Sequence, residues 1–481
     1  MEIKTKRSVT ENFIYNIFYQ VLVTVLPILT TPYIARVLGL TANGIHSYTE
    51  GIVTYFMLIG ALGTHLYGTR TVAYNRNDPQ KMTQVTWEII WLRFILMTVT
   101  LGVFVVCFCF NNEYANIYQI HIVNIMATAI DISWFFQGVE DFRSVTLRNM
   151  LVKAIYVVCL FVFIKEPSDL VYYVLLIVAS AFFGNLLMWF YLRKYLVKKA
   201  FKKPIHFWTH IKGSVKLFIP QITNYVYALL DRSMLKWMTG DTDNVGIYDQ
   251  AQRLIRAITA VLQSIGYVML ARISNLSSQN NIDELKQYIR KSLNFTLFLA
   301  LPMAFGILGT ADDFIPLFLG KEYLAAIPAL KLLSVLVITM SINGVLGVQL
   351  LIPVGKENQY AIATTTGAVL NVLINIIAIP KIGVLGACIS SIIAECSVFA
   401  ISFFFARKYL NLKEILKDNI VPLVTSVLMY LMILAIHLIN INTVVRLIIE
   451  VSSGVVLYLV VMILTKNQMA GLILSKFKRK G

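Results

Sequence analysis

Charged side chains are scarce in this sequence. Asp, Glu, Lys and Arg together make up 14% of 481 residues, against roughly 25% in an ordinary soluble domain. Apolar residues reach 58% and mean hydropathy is +0.71. Too few polar side chains remain to cover a body in water, and a soluble enzyme is excluded. Cysteine is also sparse: Cys107, Cys109, Cys159, Cys388 and Cys396 all lie inside apolar runs. That excludes a disulfide scaffold and suits small packing residues. No Walker-type phosphate loop, no strand-linked Gly-x-Gly-x-x-Gly and no His-Glu-x-x-His occurs, so neither ATP hydrolysis nor zinc chemistry is expected. No small-residue cleavage site follows Lys4, Lys6 and Arg7, so the first helix is expected to stay in the mature protein.

What the chain does have is long apolar runs. A bilayer core of about 30 Å needs about 20 apolar residues in a helix, and backbone groups in lipid must be satisfied internally. Fourteen runs qualify: 12–37, 45–68, 84–110, 116–137, 145–164, 169–192, 214–238, 245–271, 289–310, 324–352, 358–380, 383–406, 419–440 and 446–465. The fold class is therefore all-α, a polytopic membrane protein with about 14 transmembrane helices.

Basic residues set the orientation. With the N-terminus inside, the cytoplasmic segments carry 30 Lys and Arg and the outer turns only Lys165, Lys321 and Lys381. Basic loops stay on the cytoplasmic side, which places both termini inside. The net charge of +17 then follows from this bias and from attraction to anionic lipid, and no nucleic-acid partner is expected. The basic stretch Arg193–Lys203, with Phe207 and Trp208 after it, reads as a surface linker, and the His206/His210 pair within it as interfacial.

That linker divides the chain into an N-terminal six-helix lobe (1–192), a basic cytoplasmic linker (193–216), a C-terminal six-helix lobe (214–406), and helices 13–14 with a cytoplasmic tail (407–481). The lobes are expected to surround a central cavity. Gly39-Leu40-Thr41-Ala42-Asn43-Gly44-Ile45 and Gly240-Asp241-Thr242-Asp243-Asn244-Val245-Gly246-Ile247 each occupy the first outer turn of a six-helix set, with Tyr48 and Tyr248 following; the alternative is that Gly, Thr and Asn merely recur in tight turns. Six being even, the two copies enter the membrane in the same direction, as parallel repeats do. Pro27 and Pro220, one early in each half, are the expected kink points.

Ionisable residues inside apolar helices are the most informative feature, since a charge at the bilayer centre costs at least about 2.5–3.5 kcal/mol and usually faces a wet or functional interior. Asp231, Arg232 and Lys236 lie on the seventh helix, Arg253 and Arg256 on the eighth. Arg232 and Arg253 are both expected about 10–12 Å below the outer boundary. The alternative for Arg253 is internal pairing with Asp249 at i, i+4. Arg36 ends the first helix and Lys153 lies in the fifth, while Arg93 is expected to snorkel to the cytoplasmic end and Arg446 to pair with Glu450. Asp131, Asp231 and Glu395 are candidates to take up a proton or hold a small cation, because burial disfavours a bare carboxylate.

Specific stretches then resemble a known family. Asp131-Ile132-Ser133-Trp134-Phe135-Phe136-Gln137-Gly138-Val139-Glu140-Asp141-Phe142, followed by Arg148-Asn149 and Lys153, is similar to the fourth-to-fifth helix signature of Wzx-type polysaccharide flippases, in the superfamily that also holds MATE exporters. Leu230-Asp231-Arg232-Ser233-Met234-Leu235 and Val245-Gly246-Ile247-Tyr248-Asp249-Gln250-Ala251-Gln252-Arg253-Leu254 match as well, as does the first cytoplasmic loop from Gly68-Thr69-Arg70 to Asp78-Pro79.

The resemblance implies a flippase that moves an undecaprenyl-diphosphate-linked oligosaccharide from the inner to the outer leaflet of a bacterial cytoplasmic membrane, for capsule, O-antigen or exopolysaccharide assembly. On physical grounds the expected mechanism is alternating access between the two six-helix lobes, with Arg232, Arg253, Arg256, Arg36 and Lys153 as diphosphate contacts. Asp131, Asp231 and Glu395 would couple transport to a proton or sodium ion, the sole cofactor expected. Partners would be the lipid-linked oligosaccharide, membrane lipids, and a polysaccharide polymerase with its assembly proteins.

Two other classes compete. A MATE-like ion-coupled exporter of small molecules would want acidic residues and few arginines in its cavity. A membrane glycosyltransferase or polymerase would want a large outer loop, and the longest outer turn, near Thr310–Tyr323, is short; no enzyme activity is expected.

Overall fold

The computed structural model describes residues 9–197, 206–278 and 281–471. Lys4, Lys6 and Arg7, the linker residues Lys198, Lys199, Lys202 and Lys203, and the tail beyond Gly471 lie outside the described residues, so the readings placed on them do too.

Among the described residues, fifteen α-helices carry the fold: α1 (Val9–Ala61), α2 (Thr64–Asn75), α3 (Pro79–Phe108), α4 (Ala115–Ala129), α5 (Ser133–Gly138), α6 (Phe142–Phe163), α7 (Leu170–Leu192), α8 (Ile211–Thr239), α9 (Thr242–Ser278), α10 (Ile282–Phe318), α11 (Ala326–Asn343), α12 (Glu357–Ile382), α13 (Val384–Ala406), α14 (Leu412–His437) and α15 (Thr443–Leu464). A π-helical segment, Gly344–Leu351, extends α11. No strand occurs among the described residues. Each of the fourteen expected spans coincides with a helix or a helix pair. Ten segments among the described residues are long and apolar enough to cross a membrane, and the chain is a multi-pass membrane protein.

Local sequence explains the helix ends. Asp78 accepts the Gln80 and Lys81 amides at 3.0 and 3.1 Å, with Pro79 as the first helical residue, and so starts α3. Asn442 does the same for α15 through the Val444 amide, 2.9 Å; such caps satisfy amides with no partner inside the helix.

Several expectations need correction. The stretch Leu40–Gly44 is not a turn: α1 breaks at Gly39 alone, at φ 75°, ψ −178°, and is helical again from Leu40. That backbone region is open essentially only to glycine. Asn43 secures the junction, its amide donating to the Gly39 carbonyl at 2.7 Å. Gly240, at φ 72°, makes the corresponding corner between α8 and α9. The first-half break is thus at Gly39, and Pro27 lies within continuous helix. The supposed first cytoplasmic loop is mostly helix, forming α2. The Thr310–Tyr323 turn is shorter still, since α10 continues to Phe318 through Pro302 and Pro316.

The chain falls into two compact units, Met1–Ser233 and Met234–Gly481. In the first, Ile34 and Leu38 of α1 pack with Ile117 of α4, Leu160 of α6 and Val174 of α7, while Ile89 of α3 packs with Trp134, Phe135 and Phe136 of α5 and Met188 of α7. In the second, α9, α10, α13 and the π segment share a core around Ile273, Ile289 and Leu350; a separate one joins Phe298 of α10, Met429 and Ile433 of α14, and Tyr458 and Met462 of α15. Large apolar side chains also point outward in both units, among them Val106, Phe163, Ile377 and Ile448, as lipid-facing surfaces do.

Candidate functional site

In the first unit the polar centre is built on the interruption between α4 and α5. The Asp131 carboxylate accepts the Ser133 amide at 2.9 Å, and this local bond ends α4 and opens α5. The carbonyls released by the break are taken up by side chains. Arg93 Nε donates to Thr128 O at 2.9 Å, Trp189 Nε1 to Ile130 O at 2.8 Å, and Trp134 Nε1 to Asp131 O at 3.1 Å.

Arg93 therefore does not snorkel. It is 3% exposed, and its Nη2 lies 3.7 Å from Asp131 Oδ2. The same oxygen is 3.8 Å from His65 Nδ1, and His65 Nε2 is 3.3 Å from Gln137 Oε1. Asp131, a coupling candidate, thus faces one guanidinium and one imidazole. The sequence signal was present: an Asp two residues before a Ser, inside an apolar run, is a helix-breaking pattern that opens room for a buried cation.

The histidine pair also departs from expectation. His206 opens the turn before α8, but His210 is buried, its Nε2 2.9 Å from Glu88 Oε2 and its Nδ1 2.9 Å from the Tyr67 hydroxyl. The His206 amide donates to the other Glu88 oxygen at 3.1 Å. The segment preceding α8 is thereby fastened to α3.

Of the candidate diphosphate contacts in this unit, Arg36 is exposed at the end of the first leg of α1, and Lys153 is half-buried on α6. Lys153 lies about 15 Å along the helix from either end of α6. Asp231 and Arg232 are buried on α8, at 3% and 7% exposure, close enough to Tyr55 of α1 for their charges to act on its hydroxyl.

In the second unit, Arg253 donates from Nε to Asp249 Oδ2 at 2.6 Å, and Asp249 is fully buried. The i, i+4 pairing is therefore present. Arg256 is half-buried one turn further along α9. Counted along the helices, Arg253 is about 16 Å from the start of α9 at Thr242, and Arg232 about 10 Å from the end of α8 at Thr239. Arg232 belongs to the first unit, Arg253 and Arg256 to the second. Lys236 closes α8, its ammonium 3.0 Å from the Gly240 carbonyl.

Glu395 of α13 is buried and accepts from Asn343 Nδ2 at 2.7 Å, where α11 passes into the π segment. Such π bulges recur at functional positions. Beside α13, Tyr248 and Gln252 of α9 hydrogen-bond each other at 2.8 Å, and Tyr248 meets Ser391 at 2.9 Å. Asn371 and Asn375 of α12 continue the polar seam with Ser390. Arg446 does not pair with Glu450; both oxygens of Asp313 hold it, at 2.5 Å each.

Two of the motif stretches meet in space. A Cβ on Gly68 would run into the Trp134 ring, and one on Gly138 into the Thr69 carbonyl and Val72. Trp134, Phe135 and Phe136 have no exposed surface, so this part of the signature is packing between α2 and α5.

Comparison with known proteins agrees with this architecture. The chain is 25% identical over 379 residues to a candidate O-antigen transporter of Shigella dysenteriae, covering 77% of this chain and 92% of that one. A candidate O-antigen transporter of Escherichia coli strain K12 is 23% identical over 415 residues, covering 84% and 97%. The solved structure of the lipid II flippase MurJ in an inward closed conformation superposes with a TM-score of 0.69 over 96% of this chain and all of that one, at 16% identity, which shows a shared fold. The MatE family model matches residues 217–377. The polysaccharide biosynthesis protein model matches residues 9–277, more than half of the chain, and the protein belongs to that family.

Proposed function

We propose that the protein is a flippase for undecaprenyl-diphosphate-linked oligosaccharide repeat units, moving them from the inner to the outer leaflet of a bacterial cytoplasmic membrane by alternating access. The observation that carries this reading is the presence of Arg232, Arg253 and Arg256 on α8 and α9, the helices that coincide with the expected seventh and eighth spans, in a chain of the polysaccharide biosynthesis family. Both relatives are named as candidate O-antigen transporters, which supports a polysaccharide precursor as cargo.

The physical problem is to carry a charged, hydrated head group past hydrocarbon. Taking an unpaired ion out of water costs several kcal/mol, and guanidinium groups offset that by charge-assisted, often bidentate bonds to phosphate oxygens. Arg232, Arg253 and Arg256 are the first contacts in this reading, with Arg36 and Lys153 as further ones. The sugar crosses in water while the polyprenyl tail stays in lipid. Asp131, Asp231 and Glu395 couple the cycle to a proton or sodium gradient. Both termini are cytoplasmic, and the product passes to a polymerase.

Arg232→Ala combined with Arg256→Ala is expected to reduce oligosaccharide export in cells while folded protein remains in the membrane. Unchanged export at normal abundance would reject both assignments. The MatE match over residues 217–377 favours one alternative, an ion-coupled exporter of small molecules; transport of a fluorescent cationic dye by reconstituted protein, without binding of lipid-linked sugar, would establish it instead.

A further inference from the structure

One end of the second unit holds a cluster that the transport reading does not use. Asp313 lies in the last turns of α10, His437 is the final residue of α14, and Glu450 lies two turns into α15. His437 Nδ1 is 3.7 Å from Asp313 Oδ2 and 3.4 Å from Glu450 Oε1. One ligating atom from each of the three lies within 4.8 Å of the others.

Glu450 has no exposed surface, and neither of its carboxylate oxygens makes a hydrogen bond among the described residues; His437 Nδ1 makes none either. A buried carboxylate with no donor is strongly disfavoured. Arg446 does not relieve it, because its Nε and Nη2 bond Asp313 and its Nη1 the His437 carbonyl. Lys331 is committed to the neighbouring Asp312 at 2.6 Å. With His437 as a neutral imidazole, the cluster combines one ring nitrogen and two carboxylate oxygens, with Arg446 its one permanent positive charge.

We infer that Asp313, His437 and Glu450 bind a divalent transition-metal ion of the zinc class, which ties α14 and α15 to α10. Nitrogen and oxygen bonds to zinc are about 2.0–2.2 Å, which sets the edge of a tetrahedral site at about 3.3–3.6 Å. The two separations from His437 fall at or within a few tenths of an ångström of that edge. Each Asp313 oxygen has two lone pairs, so Arg446 occupies one on each and leaves the other open. An outer partner of that kind orients a ligating carboxylate. His437 keeps about a third of its side chain accessible, which gives the ion an entry path and room for water as fourth ligand. Hard cations such as magnesium favour all-oxygen shells and fit this mixed set poorly.

The test uses full-length protein in detergent, purified by a tag without histidine and stripped with a chelator, then titrated with zinc against a competing chromogenic chelator. One zinc per chain is expected, together with a rise in thermal unfolding temperature that magnesium does not reproduce. Glu450→Gln keeps the shape of the buried side chain, and it and His437→Ala should each weaken zinc binding about tenfold or more, whereas His206→Ala should leave it unchanged. Wild-type protein that takes up no zinc, or a Glu450→Gln, His437→Ala double variant that binds as tightly as wild type, would overturn the inference. Neither result bears on whether the chain transports lipid-linked sugars.

Discussion

Arg93 on α3 donates to the carbonyl of Thr128, 2.9 Å away, where α4 is about to end. The bond places a guanidinium against Asp131 in the middle of a bundle, and the two charges depend on each other. Arg93→Ala should destabilise the protein by about 3–5 kcal/mol, as expected when one member of a buried ion pair is removed. Arg93→Met with Asp131→Asn should recover much of that loss. Thermal unfolding of the detergent-solubilised variants provides the measurement, and strictly additive single effects would show that the two residues are not coupled.

A second buried pair joins the segment before α8 to the first unit. His210→Ala removes the donor facing Glu88 Oε2 and the acceptor facing the Tyr67 hydroxyl, at an expected cost of about 1–3 kcal/mol. Glu88→Gln alone should cost a similar amount, and the double variant less than the sum, with a coupling of about 0.5–3 kcal/mol. A double-mutant cycle on unfolding free energies checks this.

Backbone conformation separates two glycines on one helix. Gly39→Ala forces a side chain into a region essentially reserved for glycine and should cost about 1–3 kcal/mol. Gly51 is helical, and a Cβ there would meet no atom within 4 Å, so Gly51→Ala should gain up to about 1 kcal/mol. Folded yield and melting temperature of the two variants should move in opposite directions.

Glu395→Gln keeps an acceptor for Asn343 and removes the charge. Stability should change by less than about 1 kcal/mol, while export in proteoliposomes loses its response to an imposed proton or sodium gradient. Retained gradient dependence would remove Glu395 from the coupling set.

The helices were readable from composition because lipid leaves little choice: a run of about 20 apolar residues has to be helical. Breaks inside those runs were harder. The one at Asp131 depends on Ser133, Trp134, Trp189 and Arg93, which come from three helices, so no local pattern announces that all four will converge. Arg93 looked close enough to a helix end to reach water, and only tertiary structure puts a carboxylate nearer. The convergence of Asp313, His437 and Glu450 was hidden for the same reason, the three being far apart in sequence and two of them beside ordinary helix ends. The i, i+4 alternatives were more decidable, and they divided: Asp249–Arg253 forms, whereas Arg446 turns from Glu450 to Asp313. The aromatic signature after Asp131 marked a family, yet its rings are interior packing, so resemblance alone did not separate architecture from chemistry.

The glycine corners also limit how the molecule can be probed. At Gly39 a single residue joins two long helical rods, and at Gly240 the joint is barely longer. Neither bend has slack for a protease to cut or an epitope to extend. Reporters of movement belong on the rods, and a bulky label at either corner would be expected to disturb the hinge it was meant to observe.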